Sequence, residues 1–291
     1  MKIRRVILFV SPQKKHARDL RDEVIKELAS HKIDIDIFSF RGKPGFNTEA
    51  GYDAAICIGG DGTVLSAARA ISPLGVPIFP INLGTFGFIA GVEPSRWREA
   101  FLKWFGGNAA ISKRLMLEIS VERGGEEVLK GCCLNDVVVS ASGIAKIINL
   151  RVSSEVGSKN FVKLGSYRSD GLIVSTPTGS TAYSASAGGP IVDPELEALI
   201  LIPICPFTLS NRPLVFPAEE TVMVEVEEEQ RSEVLLTVDG QVTEKLKKGD
   251  KIFLKKAPYP CRLIESGRKG FYESLRTKLN WAGRTDEETE T

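Results

Sequence analysis

Residues 53–71 read Asp53-Ala54-Ala55-Ile56-Cys57-Ile58-Gly59-Gly60-Asp61-Gly62-Thr63-Val64-Leu65-Ser66-Ala67-Ala68-Arg69-Ala70-Ile71. A compact apolar run enters three glycines around one aspartate, and a helical pattern begins at Thr63. Short apolar runs bounded by turn residues read as buried strands, and apolar spacings of three and four as helix. The stretch is therefore a strand, a tight turn and a helix, with Thr63 as the candidate cap. In an open parallel sheet, ligands sit where strand ends meet helix N-termini. The N–H groups and partial positive charge there suit a phosphate, and glycine removes the Cβ that would hold a ligand off.

The same alternation extends to both sides. Residues 6–10 form an apolar run, and 17–30 carry Leu20, Val24, Ile25 and Leu28 at helical spacing. Residues 33–40 alternate Ile33, Ile35 and Ile37 with polar neighbours, as a half-buried strand does, and 41–51 read as a Gly/Pro loop. A strand over 76–81 and a helix over 95–105 follow, the latter with Trp97, Phe101, Leu102 and Trp104 on its apolar side. This order predicts a parallel α/β layer. From Ser112 the texture changes to short strand-like runs at 115–121, 128–134, 137–140, 147–152, 171–175, 221–226, 234–238 and 252–255, with one short helix at 181–187. The expected architecture is an α/β N-terminal domain over 1–108 and a mostly-β, sandwich-like domain over 109–268. A weakly helical segment begins the remaining 269–291, which ends in an acidic tail expected to be disordered.

Composition narrows the chemistry. The 291 residues suffice for about two domains of ~150 residues each, and 43% hydrophobic with 26% charged residues is an ordinary globular mixture. Thirty-eight basic against 37 acidic residues leave a formal charge of +1, which excludes global attraction to nucleic acid or anionic membrane. His16 and His31 are the whole histidine supply, which removes most histidine-based catalysis. Cys57, Cys132, Cys133, Cys205 and Cys261 form no C-x-x-C pair and read as thiols of a reducing compartment, not as a disulfide framework or zinc site. The N-terminal apolar run is too short for a signal peptide, and the longest apolar stretch, 198–207, is broken by Pro203 and Pro206. No stretch approaches the ~18 residues of a membrane span, so a cytoplasmic protein is expected.

Common nucleotide fingerprints are missing. A G-x-G-x-x-G starting at Gly60 would need glycine at 65, where Leu65 stands, and Gly42-Lys43 lacks the rest of a Walker A loop. Asp61 is the odd element, since a carboxylate repels phosphate. Its candidate roles are a hydrogen bond to a sugar hydroxyl, general base to that hydroxyl, a contact around a metal's ligands, or stabilisation of the turn. A second glycine-spaced turn, Asn82-Leu83-Gly84-Thr85-Phe86-Gly87-Phe88, follows the next strand. It fits an adjacent wall of one cleft, with Phe88 packing against a nucleobase or in the core. Asn135-Asp136 interrupts an apolar stretch, where polar groups are costly unless satisfied. The run from Asp170 to Pro190, including Thr176-Pro177-Thr178-Gly179-Ser180-Thr181-Ala182-Tyr183-Ser184-Ala185-Ser186, takes a buried strand into a hydroxyl-rich turn and a small-residue helix.

Together with Arg212-Pro213 and Asp239-Gly240-Gln241, these motifs occur in an order that resembles the NAD kinases, over about residues 5 to 280. The Gly-Gly-Asp-Gly-Thr turn is shared with lipid kinases and phosphofructokinases; the Thr178 to Ser184 block is much more specific. The resemblance implies phosphorylation of the 2′-hydroxyl of the adenosine ribose of NAD by a nucleoside triphosphate or polyphosphate with Mg²⁺. Asp61 is implied as the base, and Gly60, Gly62 and Thr63 as the donor-phosphate lining. Phe88, Asn135, Asp136, Thr178, Thr181, Ala182, Tyr183, Ser186 and Gln241, with Asp170 and Arg168, are implied to hold NAD. It further implies a tail returning to the first domain, and a homodimer or homotetramer in which a neighbouring subunit completes part of the site. No dedicated carboxylate cage is visible, so the metal is expected to arrive with the donor phosphates. Phe207 and Asp193 stand where relatives often carry histidine, which leaves donor and metal details open. A lipid or sugar kinase of the same superfamily and a non-catalytic dinucleotide sensor are the alternatives. The hydroxyls around Tyr183 and the lack of a membrane-docking apolar patch count against a lipid substrate, and Asp61 against a sensor.

Overall fold

The computed structural model describes residues 3–12, 16–38, 51–84, 87–89, 91–143, 146–156, 160–208, 210–265 and 267–281. The chain forms two units: one comprises residues up to Lys113 and from Cys261 onward, the other Arg114–Pro260.

The first unit runs β1 (Arg5–Val10), α1 (His16–Ser30), β2 (Asp34–Phe38), β3 (Ala54–Gly59), α2 (Asp61–Ile71), β4 (Ile78–Asn82), α3 (Trp97–Phe105) and β5 (Ile111–Arg114). Strands β2, β1, β3 and β4 lie side by side in that order, all parallel. All six residues of β3 are buried, the pattern of a strand covered on both faces. The covering comes from Leu20, Val24 and Leu28 of α1, from Val64, Leu65 and Ile71 of α2, and from Trp97, Phe101 and Trp104 of α3.

Three details differ from the sequence reading. Helix α2 starts at Asp61, with Gly60 as its N-cap residue; Thr63 is buried and is not the cap. Leu102 is 46% exposed, because at about 100° per residue it lies well round the helix from the stripe of Trp97, Phe101 and Trp104. In β2 the alternation fails at Ile37, which is exposed near the end of an outer strand. Asp36 is instead the bonded residue there, accepting from Arg5 (2.8 Å) and from the Tyr52 hydroxyl (2.9 Å). These two contacts, Tyr52 first, hold its carboxyl below the usual range. The loop at 41–50 and the tail at 285–291 lie outside the described residues.

The second unit continues with β6 (Leu117–Arg123), β7 (Glu126–Cys133), β8 (Asp136–Ala141), β9 (Ile148–Glu155), β10 (Phe161–Ser169) and β11 (Gly171–Ser175). A 3₁₀ turn (Thr178–Thr181) and the four-residue α4 (Tyr183–Ser186) replace the single helix expected at 181–187. Then come β12 (Ala198–Ile204), β13 (Leu214–Pro217), β14 (Thr221–Val226), β15 (Val234–Val238), β16 (Val242–Leu246) and β17 (Lys251–Lys256). They form two six-stranded sheets, ordered β10-β9-β14-β17-β6-β7 and β13-β12-β11-β8-β15-β16, with antiparallel pairing. Inward residues of both sheets, such as Ile119, Leu150, Val224, Val139, Leu172 and Leu201, share one core. The opposite face of the second sheet buries Val138, Ile173, Ile200 and Ile202 beside Val192. Strands β8, β11 and β12 are thus covered on both faces, which explains their unbroken apolar runs. The longest such run, 198–204, is strand β12, and Pro203 sits inside it opposite Leu172.

The chain then returns to the first unit as β18 (Cys261–Ile264) and α5 (Arg268–Leu279). The expectation over 109–268 places residues 261–264 with the β-rich domain, but β18 pairs in parallel with β4 in the first sheet. Helix α5 buries Phe271 and Leu275. Among the described residues, no helix is long and apolar enough to cross a membrane.

Candidate active site

In the first unit, the two glycine turns are tied together by hydrogen bonds. The Leu83 amide donates to the Gly59 carbonyl at 2.7 Å, and the Gly84 amide to Asn82 Oδ1 at 2.7 Å. Asp61, in the first turn of α2, accepts the Phe88 amide (2.8 Å) and the Ile89 amide (3.3 Å). A carboxylate is favourable at a helix N-terminus even though it repels phosphate, and here it also anchors the next loop. Gly87 is required by this approach: a Cβ there would lie 2.6 Å from Asp61 Oδ1. On the other side of that loop, Lys278 of α5 donates to the Gly87 carbonyl and lies 5.7 Å from the Phe88 ring centroid. Burial lowers the Lys278 pKa, while the Asp61 charge raises it.

In the second unit, the segment between β7 and β8 is pinned from several directions. The Thr176 hydroxyl donates to the Leu134 carbonyl (2.6 Å), and the Thr176 amide and Ser175 hydroxyl to the Asn135 carbonyl (2.8 and 3.2 Å). The Asp239 carboxylate accepts the amides of Leu134, Asn135 and Asp136, the Asn135 bond being shortest at 2.8 Å. Asp239 and Gly240 both have positive φ, and the Gln241 amide closes on the Val238 carbonyl, a hairpin turn in which Asp and Gly are favoured. This turn delivers the carboxylate. Buried as it is (4% exposed) and beside Asp239, Asp136 has its pKa pushed up to about 7, by desolvation first and the Asp239 charge second. Near neutrality it is present both as a donor acid and as an acceptor anion.

Asn135, Asp136 and Tyr183 line a cleft of about 340 Å³ with Thr237, Asp239 and Gly240. Among the described residues, the buried Asn135 Oδ1, Thr178 Oγ1 and Ser184 Oγ find no hydrogen-bond partner. Buried polar groups are rarely left so, and these three lie on two segments, the start of β8 and residues 178–184, that hydrogen bonds from Ser175 and Thr176 hold together.

Comparison with known proteins finds matches to both units of the chain. Family models for the ATP-NAD kinase N-terminal domain and the ATP-NAD kinase C-terminal domain match residues 43–108 and 134–266. The NAD kinase of Treponema denticola is 42% identical over 97% of this chain and 98% of its own length. The chain belongs to the NAD kinase family. The NAD kinase of Citrifermentans bemidjiense is 38% identical over 97% of this chain and 100% of its own. The crystal structure of a yeast NADH kinase complexed with NADH has the same fold (TM-score 0.85, 21% identity, 98% of this chain and 89% of that one). An NAD kinase from Archaeoglobus fulgidus in complex with ATP superposes with a TM-score of 0.72 at 25% identity, over 94% of this chain and 99% of that one.

Within this NAD kinase fold the expected residues are placed as follows. Gly60 caps α2, Gly62 is exposed in its first turn, and Thr63 is buried beneath Gly59. Phe88 is half-buried and contributes its amide to Asp61; Thr85 and Phe86 lie outside the described residues. Asn135, Asp136, Ala182 and Tyr183 come together at the cleft, and Tyr183 is 47% exposed. Thr178 is adjacent in chain and buried; Thr181 is half-buried and Ser186 exposed. Gln241 is exposed on the hairpin turn. Arg168 is not brought to this cleft: it lines another of about 670 Å³ with Asn149, Tyr167 and Arg231, its guanidinium 5.0 Å from the Phe207 ring centroid. Asp170 is half-buried where β10 passes to β11. Asp193 accepts the Glu195 amide at 2.9 Å in a local turn. Phe207 is 66% exposed. Asp239, Ser184 and Lys278 lie beside these segments and carry contacts or buried polar atoms that the motif reading leaves unassigned. Asp239-Gly240 is visible as a turn, but its carboxylate's partners lie about a hundred residues earlier.

Proposed function

We propose that this protein transfers the γ-phosphoryl group of ATP to the 2′-hydroxyl of the adenosine ribose of NAD, giving NADP and ADP. The observation that carries the reading is Asp61: a carboxylate in the first turn of α2, its orientation set by two amides of the neighbouring turn. Asp61 takes the proton of the ribose hydroxyl as that oxygen bonds to the γ-phosphorus, while the bond to the ADP oxygen breaks. Such a base is typically worth ~10²–10⁴ in rate. Gly60, Gly62 and the N-terminal end of α2 face the donor phosphates, where helix geometry favours anions. The ATP complex of the Archaeoglobus relative supports ATP as the donor.

Among the described residues, no group of three or more His, Cys, Asp and Glu side chains is placed to hold a metal ion. The cation arrives with the donor, as MgATP, in keeping with the way Mg²⁺ is usually bound through phosphates. The second unit holds the dinucleotide. Asn135 Oδ1, Thr178 Oγ1 and the two forms of Asp136 offer complementary donors and acceptors, and Tyr183 supplies an aromatic face. Thr181, Ala182, Ser186 and Gln241 border that segment, and Phe88 belongs to the Asp61 turn. That Arg168 lines a different cleft from Asn135 is consistent with a homo-oligomer in which Arg168 and Asp170 serve a neighbouring copy. A cytoplasmic compartment, where NAD and ATP are plentiful and thiols stay reduced, completes the reading.

The test is direct: incubate purified protein with NAD, ATP and MgCl₂ and assay NADP with an NADP-specific dehydrogenase. NADP accumulation is expected. Its absence with ATP, other triphosphates and polyphosphate alike would contradict the kinase reading and favour a non-catalytic dinucleotide binder.

A further inference from the structure

We propose that Lys278, in the last turn of α5, is a positioning residue of the phosphoryl-transfer site, acting on Asp61 through the peptide group between Gly87 and Phe88. The inference rests on the kinase reading above. The carbonyl of that peptide belongs to Gly87 and its N–H to Phe88. Lys278 donates to the carbonyl, and Asp61 accepts from the N–H. One peptide dipole thus bridges a cation and an anion, each charge polarising the bond made by the other. Gly87 lets the carboxylate sit this close to the peptide, since a Cβ there would stand 2.6 Å from Asp61 Oδ1.

A lysine at a helix C-terminus is favoured by the macrodipole, but that effect needs no burial, and Arg276 in the same turn is exposed. Lys278 instead lies half-buried against the turn and beside the Phe88 ring, within the range of a cation–π contact. Asp61 is the opposite charge that acts on it; Glu273, on its own helix, faces Lys269. Without the ammonium, the Gly87–Phe88 peptide loses one of its two anchors, and the acceptor geometry of Asp61 loosens about the remaining amide bonds. The loss falls on the chemical step, because Asp61 acts in the transition state and not in holding NAD.

The experiment compares wild type with Lys278→Met, Lys278→Arg and Leu275→Ala, measuring kcat, KM for NAD and Tm. Leu275 anchors α5 without carrying charge, so its truncation reports what loosening the helix alone does. Lys278→Met is expected to lower kcat at least about tenfold, with KM for NAD within about threefold, a loss in the range seen for single positioned donors or bases. Lys278→Arg should recover a measurable part of kcat, and Leu275→Ala should lower Tm with a smaller effect on kcat. Lys278→Met within twofold of wild type, or no better rescued by arginine than by a neutral side chain, would overturn the inference while leaving the kinase reading intact. A wild type that forms no NADP would instead overturn the kinase reading, and the inference with it.

Discussion

Asp61 and Gly87 act as one unit. The carboxylate caps the amides of the turn that follows the next strand, and the glycine allows the approach. Gly87→Ala should therefore push aside the free end of a side chain and not the backbone. We expect a small loss of Tm but a kcat reduced about tenfold, since ångström-scale misplacement of a reacting group is costly; unchanged kcat would show that Asp61 tolerates displacement. Asp136 carries the second residue-scale prediction. Its folded-state pKa of about 7 exceeds the ordinary 3.8, so between those values the folded state binds more protons than the unfolded. Stability from this group is present below about pH 4 and is lost as pH rises towards 7. Thermal unfolding at pH 5 and pH 8 should show a smaller Tm difference in Asp136→Asn than in wild type. Equal differences would mean that Asp136 titrates normally.

At the scale of elements, the site depends on how closely the 3₁₀ turn Thr178–Thr181 lies on the start of β8. A Cβ on Gly179 would fall 2.2 Å from the Asn135 carbonyl oxygen, and backbone cannot step aside as a side-chain tip can. Gly179→Ala should cost on the order of 1–3 kcal/mol, read as a clear drop in Tm and in NAD affinity together; a variant of wild-type Tm would contradict this packing. Elements covered on two faces were legible in the sequence: β3, β8 and β11 announce themselves as apolar runs, and the turn after β3 as a glycine cluster. Strands β10 and β16 were not. Residues 161–169 and 242–246 are mostly exposed edge strands, so burial imposes no periodicity on them. The first-turn position of Asp61 was also missed, because glycine caps a helix without a side-chain signal. Lys278 and Asp239 were beyond reach for a different reason: their contacts are made only when distant segments are brought together by the sheets.

For the whole molecule, a formal charge of +1 fits the proposal that phosphates are met through backbone amides and a helix terminus. Histidine is confined to His16 and His31, and phosphoryl transfer asks for positioning and charge neutralisation more than covalent help, so the proposed carboxylate base meets no chemical obstacle in that scarcity. Membership of the NAD kinase family across both units and the geometry around Asp61 point to the same reaction. The most direct test is the rate of NADP formation by Asp61→Asn against wild type, with NAD binding measured by calorimetry on both. Asparagine keeps an oxygen to accept the Phe88 amide but cannot take the hydroxyl proton. The account predicts a rate at least ~100-fold lower with NAD affinity within several-fold; a fully active Asp61→Asn would contradict it.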